Sequence, residues 1–126
     1  MKKLFDSAYF GKKVLVTGDS GFKGSWLVLW LKELGAKVIG YSLTPPTEPN
    51  LTDLLNLEYK KIIADIRNRE KLFDVFHREE PDIVFHLAAQ PIVRFSYKSP
   101  VETMETNVLG TVNVLEACRR TPSPKV

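Results

Sequence analysis

The 126-residue sequence predicts an α/β fold: the first half of a doubly wound parallel sheet, with its strands in the spatial order 3-2-1-4. Three observations predict it. Four short apolar runs lack the alternation of half-exposed strands and are separated by segments with helical spacing. Gly18, Gly21 and Gly24 lead from the end of the first run into the opening of the first helical segment. Capping and breaking residues stand where strands must hand over to helices. Strand and helix in alternation imply crossover connections, and these make the sheet parallel.

Each element has its own signal. Lys13 to Thr17 is a β-branched, apolar run of the kind buried on both faces of a sheet. In the next segment Phe22, Trp26, Leu27, Trp30, Leu31 and Leu34 recur at three- and four-residue spacing, which predicts an amphipathic helix with that stripe inward and Gly35 as its stop. Lys37 to Leu43 reads as the second strand, and Thr44 to Asn50, with three prolines, as a surface loop. Lys61 to Asp65 is the third strand, Asn68 caps a helix reaching about Glu80, and Pro81 introduces a fourth strand over Asp82 to His86. The last helix opens at Ser99-Pro100-Val101-Glu102, with Ser99 as cap, Pro100 in the first turn and Glu102 closing a capping box. Its apolar stripe is Val101, Met104, Val108, Val112, Leu115 and Cys118.

Composition narrows the class. Hydrophobic residues at 44% and charged residues at 26%, with both signs interspersed, describe a globular chain able to form one core. The formal charge is +3, yet the basic residues are scattered in runs of at most two, which argues against nucleic acid as a partner. No apolar stretch approaches membrane-spanning length, and the start Met1-Lys2-Lys3-Leu4-Phe5-Asp6 lacks the apolar segment of a secretory signal. With Cys118 as the sole cysteine, these features suggest a reducing, cytoplasmic setting. The histidines, His77 and His86, have no metal-ligand neighbours, so no metal site is expected; His86 reads as a hydrogen-bonded structural residue.

The glycines carry the chemistry. An apolar strand precedes Gly18 and a helix opens at Gly24, so backbone N–H groups and the positive end of the helix dipole face one point, where a pyrophosphate fits. Gly18 suits the tight turn, Gly21 clears space for a phosphate, and Gly24 allows close helix packing, while Lys23 is either a charge near the phosphate or a lysine on the helix surface. This is the strand, turn and helix start of a Rossmann-like dinucleotide-binding unit. Past the second strand, where an acid commonly binds the adenosine ribose, Tyr41-Ser42-Leu43-Thr44 offers only hydroxyls, with Ser42 foremost. No arginine stands ready for a 2′-phosphate, which favours NAD over NADP.

Thr17 to Gly24, reading T-G-x-x-G-F-x-G, resembles the glycine loop of the extended short-chain dehydrogenase/reductases. Asp65-Ile66-Arg67, His86-Leu87-Ala88-Ala89-Gln90 and Thr106 to Gly110 are similar to further segments of that family. The resemblance implies cofactor contacts from Thr17, Gly18, Gly21, Phe22, Lys23, Gly24, Ser42, Asp65, Ile66, Leu87, Ala88, Ala89 and Thr106, with Asp65 and Ile66 at the adenine. Gly21-Phe22-Lys23-Gly24-Ser25-Trp26, the Pro45-to-Pro49 loop and Gln90-Pro91-Ile92-Val93-Arg94 are similar to the CDP-glucose 4,6-dehydratase branch. That branch implies NAD, a nucleotide-sugar substrate and conversion of CDP-glucose to CDP-4-keto-6-deoxyglucose, with hydride leaving C4 and returning to C6. Gln90, Arg94 and Ser96, just past the fourth strand, are the substrate-side candidates.

The family's catalytic Tyr-x-x-x-Lys pair follows the fourth helix, and no such pair on one helical face occurs in residues 1–126; Tyr9 and Lys13 have the spacing by chance. The chain is therefore expected to be the N-terminal part of the cofactor domain of a longer enzyme, inactive alone, with its fifth strand beginning near Ser123 to Val126. The apolar edge left on the fourth strand makes homo-oligomer formation possible. The alternatives are an NAD-dependent nucleotide-sugar epimerase and a non-catalytic nucleotide-binding module.

Overall fold

A computed structural model describes residues 3–122 and 124. The expected start of a fifth strand lies mostly outside the described residues. Four strands, β1 (Lys13–Thr17), β2 (Lys37–Ser42), β3 (Lys60–Ile63) and β4 (Ile83–His86), form one parallel sheet in the order β3-β2-β1-β4. This is the order predicted. Leu15 stands opposite Ile39 on one side and Val84 on the other, so β1 is a central strand.

Successive residues of β1 enter two cores. Leu15 joins Ile39, Tyr41 and Val84 beneath Leu72, Val75 and Phe76 of α3 (Arg69–Glu79) and Val114 and Ala117 of the C-terminal helix. Val14 and Val16 join Val38 beneath Val28 and Leu31 of α1 (Phe22–Glu33). Layers on both faces explain the missing alternation, because neither side of β1 meets water. Asn68 caps α3 as predicted, its side chain accepting a hydrogen bond from Lys71 N–H.

Two helices were not anticipated. Asn50 caps α2 (Leu51–Leu55) by accepting from Asp53 N–H, directly after the proline loop. A second short helix, α4 (Val93–Lys98), occupies the segment after β4. Then come α5 (Pro100–Met104), a π-helical turn over Glu105–Leu109, and α6 (Gly110–Arg120).

The helical phases correct the sequence reading. Of the expected stripe along α1, Leu31 and Leu34 are buried and Leu27 packs on the core, joined there by Gly24, Ser25 and Val28, whereas Phe22 is 73% exposed and Trp26 and Trp30 are half exposed. The phase is set at the first turn: a Cβ on Gly24 would lie 2.0 Å from Gly18 O, and the Ser25 hydroxyl bonds Asp19 O and Gly21 O. Once those two residues face the turn, a 3.6-residue repeat carries Val28 and Leu31 inward and the tryptophans out.

The last helix shows the same effect. Gly110 packs on Ile66, Val114 and Ala117 follow it inward, and Val101, Met104, Val108, Val112 and Leu115 are exposed, with only Cys118 half-buried from the expected stripe. The expected capping box is also absent. Ser99 makes no side-chain cap; its carbonyl accepts from Thr103 N–H and Oγ1–H, while Glu102 turns toward Arg67.

Candidate dinucleotide-binding site

All four parallel strands end at one edge, where Thr17, Ser42 and His86 stand at the carboxyl ends of β1, β2 and β4. Ligands bind at this edge of such sheets because the strand-to-helix turns present their N–H groups there. Gly18 adopts φ +73°, and its N–H donates to Tyr41 O at 2.9 Å. A Cβ on Gly18 would lie 2.8 Å from Ala88 N, so the turn is pressed against the end of β4.

Gly21 is the N-cap of α1 and is exposed. It brings no side chain to bond the first helical amides, and a Cβ there would meet only Gly18 O, at 3.3 Å. The first-turn N–H groups of Phe22, Lys23 and Gly24 lack intrahelical acceptors by construction. A cradle of amides at a positive helix end, kept open by glycine, fits the pyrophosphate of a dinucleotide. The side chains of Phe22 and Lys23 border it and are exposed.

Ser42 is buried at the end of β2, next to Leu43, whose carbonyl accepts the Ser20 hydroxyl. The carboxylate nearest in sequence to the glycine turn, Asp19, is committed elsewhere. It is 3% exposed, its Oδ2 accepts the Tyr59 hydroxyl at 2.7 Å, and the missing Cβ of Gly40 makes room for it, since that atom would lie 2.2 Å from Oδ2. Asp19 Oδ1 is buried without a hydrogen-bond partner. Burial, reinforced by the bond and charge of Asp19, holds the Tyr59 phenol well above its usual range.

Asp65 lies past β3 with its carboxylate gripped by Arg67, whose Nη2 is 2.7 Å from Oδ2 and whose N–H is 2.8 Å from Oδ1. The Arg67 guanidinium holds that carboxyl below its ordinary value. Ile66 is buried against Gly110, so its side chain belongs to the core. Thr106 lies in the π turn, Leu87 and Ala88 send their N–H groups to Thr17 Oγ1, and Ala89 is exposed.

The substrate-side candidates separate. The Gln90 side chain is spent internally: Oε1 accepts from Ile92 N–H at 2.6 Å, and Nε2 donates to Ile92 O and Thr103 Oγ1. Ser96 Oγ donates to Val93 O within α4. Arg94 is exposed near the start of α4 and, among the described residues, makes no ion pair. Residues that sequence reasoning left out of the site are Asp19, Tyr59 and Thr111. Asp19 and Tyr59 stand 40 residues apart with no motif to link them.

The family described as GDP-mannose 4,6 dehydratase matches residues 15–126. The chain belongs to this family. Its resemblance to extended short-chain dehydrogenase/reductases is borne out at the level of relatives and of fold. It is 53% identical over 112 residues to CDP-glucose 4,6-dehydratase of Salmonella typhimurium, covering 87% of this chain and 31% of that protein. It is 35% identical over 116 residues to dTDP-D-glucose 4,6-dehydratase of Dictyostelium discoideum, covering 87% and 26%. An epimerase of Methanothermobacter thermautotrophicus superposes with a TM-score of 0.80 at 35% identity, over 92% of this chain and 34% of that one. A UDP-glucose 4-epimerase of Thermus thermophilus, solved with NAD, gives 0.76 at 34% identity, over 86% and 34%. The chain thus spans about a third or less of the length of the curated relatives it matches. Among the described residues no helix is long and apolar enough to cross a membrane, and no cluster of residues suits a metal ion.

Proposed function

We propose that this chain is the NAD-binding N-terminal portion of a cytoplasmic nucleotide-sugar 4,6-dehydratase acting on CDP-glucose. The observation that carries the cofactor reading is the glycine-capped start of α1, open at the carboxyl edge and free of any side chain that would satisfy its amides. The similarity to the Salmonella dehydratase supports the sugar nucleotide. When bound, NAD supplies the hydride acceptor and donor that a 4,6-dehydration needs.

The chain's own residues bind and orient. The N–H groups of Phe22, Lys23 and Gly24 hold the pyrophosphate, Ser42 faces the adenosine ribose in place of an acid, and Asp65 with the Ile66 backbone borders the adenine. The backbone of Leu87, Ala88 and Ala89, with Thr106, walls the nicotinamide side, with Thr17 buried beneath it as their support, and Arg94 is the charged group available to a substrate phosphate. No proton-transferring pair stands among these residues, so the 126-residue chain positions the cofactor and turns over no sugar.

Calorimetry tests the reading. The wild-type chain is expected to bind NAD more tightly than NADP, and Gly21→Val, which fills the open cradle, to weaken NAD at least tenfold. Equal binding by the valine variant would remove the glycine turn from the cofactor site. The solved epimerases of like fold favour a second reading, an NAD-dependent nucleotide-sugar epimerase. A longer protein bearing this chain separates the two: a 4-keto-6-deoxy product from CDP-glucose supports the dehydratase, and interconversion of UDP-sugars supports the epimerase.

A further inference from the structure

Thr17, at the root of the glycine turn, is fully buried, and its hydroxyl oxygen has three bonded neighbours. Two are the N–H groups of Leu87 and Ala88, each at 3.1 Å, and the third is His86 Nδ1 at 2.6 Å. Amide N–H groups only donate, so the one neighbour able to take the hydroxyl proton is Nδ1, which must carry none of its own. The far side of the ring is assigned separately. Thr111 Oγ1 lies 3.0 Å from His86 Nε2 and 2.6 Å from the carbonyl of Asn107. A carbonyl only accepts, so the Thr111 proton goes there and Nε2 must donate. Both ends specify the same neutral Nε2–H imidazole, and burial lowers the His86 pKa in the direction that form requires.

The chain of bonds continues past Thr111. Asn107 sits in the π turn, where its Oδ1 accepts from Gln90 N–H at 2.7 Å and its Nδ2 donates to Gln90 O at 3.1 Å. Gln90 in turn clamps Ile92 and reaches Thr103. One directed set of hydrogen bonds therefore joins the glycine turn, the end of β4 and the turn that begins α4.

We infer that His86 is a positioning residue for the proposed cofactor site, a fixed Nε2–H imidazole that holds the glycine turn and the Gln90 turn in one geometry through Thr17, Thr111 and Asn107. The inference rests on the NAD reading for its purpose and on the bond directions for its chemistry. Two measurements on the 126-residue chain test it. The ¹⁵N shifts of the two histidine rings, assigned with His77→Gln, are expected to show His86 unprotonated at Nδ1 and protonated at Nε2, while the exposed His77 averages both tautomers. Calorimetry is expected to show that Thr111→Val weakens NAD about tenfold although it leaves every residue of the glycine turn in place, and that Thr111→Ser restores binding. The opposite tautomer in the wild type, or full NAD affinity in Thr111→Val, overturns the inference while leaving the NAD reading intact. Absence of NAD binding by the wild type overturns the NAD reading, and the positioning role with it.

Discussion

Gly18 is held by two constraints at once, a left-handed backbone and the close approach of the β4 end. An alanine there meets both, because φ +73° costs roughly 1–2 kcal/mol for a residue with a Cβ and the backbone of Ala88 cannot swing aside like a side-chain tip. Gly18→Ala is expected to lower stability by about 3 kcal/mol, read as a fall in the urea midpoint at constant slope. An unchanged midpoint would mean that the turn does not rest on Ala88.

His86 leads to a pH prediction. Its native pKa lies below the ordinary 6.5, so between the two values the unfolded chain binds the proton that the native chain excludes. Stability from this group is whole above about pH 6.5 and is lost as pH falls through the lower native value. Neither bonded neighbour of the ring, Thr17 or Thr111, carries a charge to offset this. The urea midpoint should therefore fall between about pH 7.5 and about pH 5.5, and His86→Asn should flatten that fall.

Among elements, the strands were legible because a run buried on two faces shows itself as uninterrupted β-branched and apolar residues. The caps at Asn68 and the stop at Gly35 were legible for a similar reason, each being a local hydrogen-bond or backbone requirement. The phase of α1 was not. The span from Phe22 to Leu34 is apolar on more than one side, and the contact that chooses the inward side is between Gly24 and the Gly18 carbonyl. Val28→Ala, at 0% exposure, should cost about 2 kcal/mol, and Phe22→Ala about 0.5 kcal/mol or less in equilibrium unfolding. Comparable losses would restore the stripe predicted from spacing alone. α2 and α4 escaped notice because five or six residues hold too few turns for a periodic signal.

At the scale of the whole molecule, β1 is bonded on both sides and covered on both faces, while β3 lies at an edge with Lys60 and Lys61 in contact with water. Native-state hydrogen exchange should therefore find the slowest amides in Val14 to Val16 and faster ones in β3. Slower exchange in β3 would contradict the strand order. The sequence by itself determined the parallel sheet and its order, the glycine turn between β1 and α1, and the family, since each depends on contiguous residues and short-range spacing. Only the tertiary structure decided which helix faces turn inward. It also showed that Asp19 is bound to Tyr59 rather than open to a ligand, and that Gln90 is consumed by Asn107, Ile92 and Thr103. Those outcomes depend on groups brought together from 13 to 40 residues away as well as on near neighbours, and no local pattern records which donor a buried acceptor will meet.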